Sequence, residues 1–161
     1  MQKIGVCLWF DSQAEEAARF YTSIFKNSKI LSESRYGETG PGQPGTVLTV
    51  NFELEGREFT ALNGGPHFKF NEAISLVVNC ADQVEVDYLW EKLTADGGEE
   101  SQCGWLKDRF GVSWQIIPLA LGALIGGPDP AGAQRATQAM LKMRKLDIAA
   151  LQDAYEGGLF Q

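Results

Sequence analysis

Histidine and cysteine, two common types of metal ligand, are scarce in this sequence. The 161 residues include one histidine, His67, and three cysteines, Cys7, Cys80 and Cys103, which lie far apart and form no CxxC pair. Zinc sites use closely spaced ligands, and disulfide frameworks use even numbers of cysteines. We therefore expect neither, and we expect three reduced thiols in a cytoplasmic protein.

Long apolar runs and an excess of positive charge are also missing. No run approaches the roughly 18 residues that a membrane-spanning helix needs, and the opening MQKIGVCLWFDSQ lacks the pattern of a signal peptide. The chain has 14 Lys and Arg against 21 Asp and Glu, a net charge of −7 and a pI of about 4.7. Such a surface repels phosphate groups, so we expect no nucleic acid as a partner. The short apolar runs lead us to expect no membrane as a partner.

The remaining composition is that of a globular protein. Hydrophobic residues make up 44% of the chain and charged residues 22%, close to the average for folded proteins. The length is suited to one compact domain. Within it we predict a first module at residues 1–66, a second at 67–120 and a helical tail at 121–161.

The first module begins with a strand and a helix. Residues 4–10 alternate like a strand, and residues 14–25 carry apolar side chains at helical spacing. The run GETGPGQPG at residues 37–45 is a loop, because its glycines and prolines break both periodicities. Further strands are predicted at residues 30–36, 46–54 and 57–63.

The second module repeats this pattern. A strand at residues 73–80 precedes a helix that Asp82 can cap, and strands follow at 102–106 and 112–117. The corresponding pairs in the two modules include Leu8 and Leu76, Ala18 and Val86, Tyr21 and Leu89, and Phe25 and Leu93. Neither half can bury its sheet face alone, so the halves must pair, within one chain or between chains.

The tail has its own apolar pattern. Asp129 and Asp147 are suitable starts for two helices, the first with a stripe from Ala136 to Leu146 and the second with Leu151. The stripe is compatible with a clasp to a second subunit or with packing on the tail's own domain, and we leave both alternatives open. The paired halves and this tail lead us to expect a homodimer.

Several runs of the sequence together identify a family resemblance. NGGPHFKFNEAISLVVNC, VEVDYLWEKL and CGWLKDRFGVSWQIIP resemble the PhnB-like branch of the vicinal-oxygen-chelate superfamily, which includes glyoxalases and bleomycin-resistance proteins. The opening WFDSQAEEAARFYTSIF and the tail AMLKMRKLDIAAL are similar to the same branch, so the resemblance covers nearly the whole chain. It implies an α+β fold of two βαβββ modules that form a half-open barrel around a central cavity, usually in a dimer.

The resemblance also locates the metal-ligand positions of the superfamily. Metal-dependent relatives hold a divalent ion with His and Glu on the first and fourth strands of each module. Carried over one by one, these positions fall at or beside Val6, at Ala61 or Asn63, at Ile74 or Ser75, and at Gln115, where those relatives have Glu. An amide and a hydroxyl are poor substitutes for carboxylate and imidazole, so we expect no metal and no other cofactor.

Members of this branch often carry the label 3-demethylubiquinone 3-methyltransferase, and this activity is one alternative. Common S-adenosylmethionine enzymes use a glycine-rich turn between a parallel strand and a helix. Here the glycines lie in the 37–45 loop and at hairpin ends instead. A metal-dependent lyase, isomerase or dioxygenase of the same superfamily is the other alternative.

The main hypothesis is a metal-free protein that binds or transforms a small apolar or aromatic metabolite in a central cavity. No catalytic residue is assigned, since there is no Ser-His-Asp set and no phosphate-binding loop, and a binding module and an enzyme both remain possible. Alternation along residues 112–117 places Gln115 inward and Trp114 on the opposite face. The candidate ligand-binding residues are Trp9, Phe52, Asn63, Ser75, Trp105, Trp114 and Gln115.

Overall fold

The fold is described by a computed structural model for residues 2–158. The chain divides into two compact units, Met1–Phe70 (unit 1) and Asn71–Gln161 (unit 2). Each unit contains one four-stranded sheet with one α-helix between its first and second strands, followed in unit 2 by a short 3-10 helix, Ala95–Gly97. Unit 2 also contains the C-terminal helices.

Unit 1 is a βαβββ module. Its elements are β1 (Val6–Phe10), α1 (Ala14–Ile24), β2 (Ser28–Arg35), β3 (Val47–Leu54) and β4 (Arg57–Asn63). The strand order is β1-β4-β3-β2, with β1 parallel to β4 and the other pairs antiparallel. The buried side of α1 consists of three alanines, Ile24 and Tyr21, and Tyr21 stacks on Phe52 of β3. Small side chains at the interface allow a helix and a sheet to approach closely.

Unit 2 begins with the same module. Its elements are β5 (Ser75–Cys80), α2 (Gln83–Thr94), β6 (Glu99–Glu100), β7 (Trp105–Lys107) and β8 (Ser113–Pro118). The strand order is β5-β8-β7-β6, and β5 is parallel to β8. Asp82 caps α2 as predicted, because its side chain accepts a hydrogen bond from the Glu85 N–H at 2.9 Å. The sequence did not locate β6, which has only two residues.

The α+β class and the two βαβββ modules of a glyoxalase-like fold are therefore confirmed, together with the helical tail. In both units the first strand lies beside the fourth, with parallel pairing. Parallel neighbours need a long crossover connection, which here includes the helix and two further strands. The repeated order of sequence patterns is thus a repeated topology.

The tail forms α3 (Ala120–Ile125), α4 (Pro130–Leu141) and α5 (Ile148–Glu156). The sequence missed α3, because its glycine-flanked stretch resembles a linker. The predicted stripe from Ala136 to Leu146 is also not one helix, since α4 ends at Leu141. Leu146 lies in the following connection, where it is fully buried against Leu121 and Leu151.

The tail packs on its own unit, which was one of the two alternatives. The side chain of Gln83 on α2 donates to the Leu146 carbonyl at 3.0 Å and accepts from the Ile148 N–H at 2.8 Å. The N–H groups of Cys103 and Gly104 donate to the carbonyls of Met143 and Arg144 at 2.8 Å each. These contacts connect the tail to α2 and to the turn that precedes β7 in unit 2.

Close approach of α4 and α5 depends on Gly132. A Cβ atom at this position would lie 2.7 Å from the backbone oxygen of Tyr155 on α5. We therefore expect Gly132→Ala to destabilise the protein by about 1–3 kcal/mol, because overpacking against backbone forces the helices apart. Gly122→Ala in α3 is the matched control: its Cβ would meet nothing within 4 Å, so it should be neutral or stabilising.

Thermal unfolding of both variants tests this expectation. A loss of 1 kcal/mol corresponds to about 2–4 °C in a protein of this size. Equal melting temperatures for the two variants would show that α4 and α5 are not in close contact. Separately, no helix within residues 2–158 combines the length and the hydropathy needed to span a membrane.

Candidate functional site

Each sheet has a face packed against its own helix, the helix face, and an opposite face that this helix does not cover, the open face. In unit 2, Leu106, Trp114 and Ile116 belong to the helix face and are buried. Because side chains alternate along a strand, Ser113 and Gln115 point to the open face. The corresponding helix face of unit 1 includes Val50, Phe52, Leu54, Phe59 and Ala61.

Three of the predicted site residues come together on the open face of unit 2. The side-chain amide of Gln115 donates a hydrogen bond to Ser75 Oγ at 2.9 Å. Trp105 is the antiparallel register partner of Gln115, so the indole lies next to the amide on the same face. Both Gln115 and Trp105 are half-buried. The result is an uncharged polar pair beside an aromatic ring.

A fourth residue, Ser113, was not predicted. It lies beside Ser75 in the parallel register and is 2% exposed. Its hydroxyl is the only buried side-chain polar atom in the described residues without a hydrogen-bond partner. The alternation that placed Gln115 also placed Ser113 on this face, but nothing in the sequence indicated that its hydroxyl would be buried and unpaired.

Ser113 lines a small pocket of about 160 Å³ at one end of the open face. An ion pair between Lys107 and Glu72 forms part of the wall. The hydrogen bond from Lys107 is the main cause that lowers the pKa of Glu72, and the same contact raises the pKa of Lys107. The lining residues of this acidic pocket are Glu72, Glu99, Glu100, Ser101, Trp105, Leu106, Lys107 and Ser113.

Two predicted site residues lie elsewhere, in the helix-face cores. Phe52 is fully buried and stacks on Phe59 with ring centroids 5.3 Å apart. Trp114 is 2% exposed, and its indole N–H donates to Asp108 Oδ2 at 2.9 Å. Neither side chain reaches an open face, so we do not include them in the site proposed below.

Asp108 organises the turn that leads into β8. Besides Trp114, its buried carboxylate accepts hydrogen bonds from the N–H groups of Phe110 and Val112 at 2.9 and 3.1 Å. Asp108 is 2% exposed, although its neighbours Lys107 and Arg109 are charged residues of the same turn region. Its contacts fix the start of the strand that carries Ser113 and Gln115.

Trp9 and Asn63, in unit 1, support the backbone around the end of β4. The indole of Trp9 donates to the Gly65 carbonyl at 2.9 Å, and its ring packs on Phe68. Asn63 caps α1 by accepting from the Ala14 N–H at 2.8 Å, and it also donates to the Val47 carbonyl at 3.1 Å. The side chain of Asn63 is thus engaged in holding α1 and β3.

The largest cavity described in unit 1, about 640 Å³, lies beside Asn63. One wall is the 37–45 loop and another is the start of α1. His67, which is exposed, stands at its edge. The cavity mixes acidic and basic side chains, Asp11 and Glu15 with Arg35. No set of three or more His, Cys, Asp or Glu among its described lining residues is placed to hold a metal ion.

The middle of the open face of unit 1 carries a row of uncharged polar side chains, as the open face of unit 2 does. Thr60 donates to Asn51 at 2.7 Å, and Asn51 donates to Ser32 at 3.0 Å. Cys7 lies next to Thr60 in the parallel register, and burial raises the pKa of its thiol. A cavity of about 480 Å³ covers this row of side chains.

The expected metal-ligand positions need one correction. Ala61 is buried on the helix face and Asn63 caps α1, so neither reaches the open face of unit 1. The fourth-strand side chains on that face are Glu58, Thr60 and Leu62, of which Glu58 is the one carboxylate. In residues 2–158 no group of three or more His, Cys, Asp or Glu side chains is placed to hold a metal ion. Hydroxyl and amide groups match divalent transition metals poorly.

Comparisons with known proteins agree on one family. A family model described as 3-demethylubiquinone-9 3-methyltransferase matches residues 2–117. A structure of a Bacillus cereus PhnB protein, described with the same activity, has 41% identity and a TM-score of 0.66, covering 73% of this chain and 99% of that one. No curated protein matches the chain.

More distant structures share the fold. A protein from Pseudomonas aeruginosa has 17% identity and a TM-score of 0.61, covering 73% of this chain and 98% of that one. The fosfomycin resistance protein FosX from Listeria monocytogenes, in a complex with Mn(II) and sulfate, has 16% identity and a TM-score of 0.51. The match covers 72% of this chain and 92% of FosX.

Proposed function

Because this chain belongs to the PhnB-like family of the vicinal-oxygen-chelate superfamily, we propose that it binds a small apolar or aromatic metabolite without a metal ion. The observation that carries the proposal is the hydrogen bond between Gln115 and Ser75. The family resemblance aligns these positions with those that carry ligands in metal-dependent relatives, and here the two side chains form an uncharged pair. Such a pair is suited to a ligand's hydroxyl or carbonyl group.

The surroundings of the pair support an apolar ligand. Trp105 offers an aromatic surface, and Val77, beside Gln115 in the parallel register, is 53% exposed. Ligand sites are commonly apolar surfaces with a few polar groups that set orientation. Gln115 Oε1 accepts no hydrogen bond from the described residues, so it can accept one from a ligand. Of the predicted candidates, Ser75, Trp105 and Gln115 form the proposed site.

Methyl transfer is the second candidate function, and the family description favours it. A methyltransferase would need a site for a methyl donor next to its acceptor. The two functions are separated by incubating the protein with labelled S-adenosylmethionine and a demethylubiquinone analogue. Enzyme-dependent transfer of the label would establish methyl transfer, whereas its absence together with ligand binding would favour the main proposal.

Replacing Gln115 with leucine should reduce ligand binding more than it reduces stability. The lost neutral hydrogen bond to Ser75 contributes only about 1 kcal/mol. A ligand whose polar group is left unpaired should bind about 1–3 kcal/mol more weakly. Thermal-shift screening of a metabolite library identifies ligands, since a ligand at 100 times its dissociation constant adds about 2.7 kcal/mol.

Gln138→Leu is the matched control for this test. Gln138 is exposed on α4, so the variant makes the same chemical change away from the site. Calorimetric titration of a library hit should give unchanged affinity for Gln138→Leu and weaker affinity for Gln115→Leu. Equal affinity of both variants would remove Gln115 from the site.

We also propose a homodimer in solution. Phe68 in unit 1 is 65% exposed and Ile74 in unit 2 is 76% exposed. Large exposed apolar side chains of this kind support burial against a second copy of the chain. Light scattering at micromolar concentration should give twice the chain mass of 17.7 kDa. A mass equal to that of one chain would end the proposal.

A cytoplasmic location is the remaining proposal. All three cysteines are free, and burial raises the pKa of Cys80 to about 12, with further contributions from Glu85 and Asp82. Free thiols persist in reducing compartments. Fractionation of cells that express the tagged protein tests this location, and recovery from an oxidising compartment would contradict it.

A further inference from the structure

The geometry points to a subsite for an alkylammonium group in the acidic pocket of unit 2. This inference rests on the proposed function, because the pocket shares Trp105 with the open-face site, and it adds the charge and chemistry of one part of the ligand. The apolar part would lie against Trp105 near Gln115, and the ammonium group would enter the pocket beside Ser113.

The pocket has an excess of negative charge. Its lining includes three carboxylates and one ammonium group. Lys107 is already paired with Glu72. Glu100 accepts a hydrogen bond from the Trp90 indole at 2.6 Å and also lies 3.7 Å from the Arg144 guanidinium group, so its charge is largely engaged. Glu99 is the register partner of Lys107 and contributes to the raised pKa of that ammonium group, but it forms no ion pair within the described residues, so its carboxylate can still contact a further cation. The same excess of charge repels carboxylate and phosphate ligands.

Ser113 is the second and independent observation. Its hydroxyl is buried, has no partner in the described residues and lines the pocket. Nearly all buried polar groups in folded proteins are hydrogen-bonded, so an unpaired hydroxyl at a pocket wall indicates a bound group or water that completes the bond. A hydroxyl oxygen can accept one of the three N–H groups of an ammonium ion.

The arrangement favours an organic cation over a metal ion. No set of three or more carboxylates, thiols or imidazoles in residues 2–158 converges on one point, as a metal ion requires. An alkylammonium group does not need carboxylates that converge on one point, and its alkyl chain can pack on an indole. A volume of about 160 Å³ has room for such a head group but not for a drug-sized molecule.

The test is titration of the full-length, ¹⁵N-labelled protein with n-propylammonium chloride at constant ionic strength. The indole N–H signal of Trp105, identified by its loss in Trp105→Phe, should shift and saturate. 1-Propanol, which is neutral and of equal size, and propionate, which is negative, should not saturate this signal. Saturation by all three compounds, or by none, would overturn the inference.

Three variants test whether propylammonium binds at Ser113 and Glu99. Ser113→Ala should raise the dissociation constant about fivefold, equivalent to about 1 kcal/mol, and Glu99→Gln at least threefold. Glu91→Gln, on the exposed side of α2, changes the net charge equally but lies outside the pocket and should have no effect. Equal effects of Glu99→Gln and Glu91→Gln would mean that the cation responds only to net charge, and would contradict the subsite.

Stability without any ligand gives a further readout. Removing an unpaired buried hydroxyl should raise the melting temperature of Ser113→Ala, whereas a lower melting temperature would show that ordered water satisfies Ser113. That second result would overturn the inference. If library compounds bind in a Gln115-dependent way but propylammonium does not, this inference fails and the proposed function stands. If neither the library compounds nor propylammonium binds, both this inference and the proposed function fail.

Discussion

Asp108→Ala is expected to destabilise the protein by about 3–5 kcal/mol, the largest loss among the substitutions considered. The change leaves three buried or half-buried donors without their acceptor: the N–H groups of Phe110 and Val112 and the indole of Trp114. Each unsatisfied donor costs about 1–3 kcal/mol. The melting temperature should fall by roughly 10 °C.

Asp108→Asn should also destabilise, although asparagine has the same shape. An amide has one accepting oxygen, so its NH₂ group must face either the Trp114 indole N–H or a backbone N–H. A donor would then oppose a donor within a buried turn. We expect a loss of about 1–3 kcal/mol for this variant.

Asp96→Asn is the control for both substitutions. Asp96 is exposed and lies 3.7 Å from Arg109, and exposed ion pairs contribute about 0–1 kcal/mol. Thermal and denaturant unfolding of the three variants give the comparison. If Asp108→Ala were no less stable than Asp96→Asn, the buried carboxylate would not organise the turn before β8.

The second large effect concerns metal binding. The wild-type protein, purified without chelator, should contain no stoichiometric zinc, nickel, iron or manganese. The double variant Ser75→His/Gln115→Glu should retain more zinc or nickel than the wild type when both are incubated with the metal before gel filtration, because it places an imidazole and a carboxylate at neighbouring positions. Ser75 Oγ and Gln115 Nε2 are 2.9 Å apart, so the two new side chains can reach one ion.

Elemental analysis after gel filtration measures both outcomes. Gln138→Glu adds the same negative charge on exposed α4 and should bind no more metal than the wild type. One tightly held ion per wild-type chain would overturn the metal-free proposal. Failure of the double variant to bind, with folding intact, would show that the open face of unit 2 cannot supply two ligands to one ion.

Most of the fold could be predicted from local features of the sequence. Alternation in residues 4–10 and 112–117, helical spacing in residues 14–25 and the Asp82 cap each depend on neighbours along the chain. Such signals report the type of element and which side chains share a face. They failed where an element is very short, as in β6, or where glycine masks a helix, as in α3.

The partners of the site residues could be decided only by the tertiary structure. Alternation placed Gln115 on the face opposite Trp114, but the pairing of β5 with β8 brought Ser75 to its amide. Asn63 fitted a binding role by its residue type, yet the fold uses it to cap α1. A polar residue's role depends on which distant donor or acceptor the register places beside it, whereas periodicity reveals only the direction in which it points.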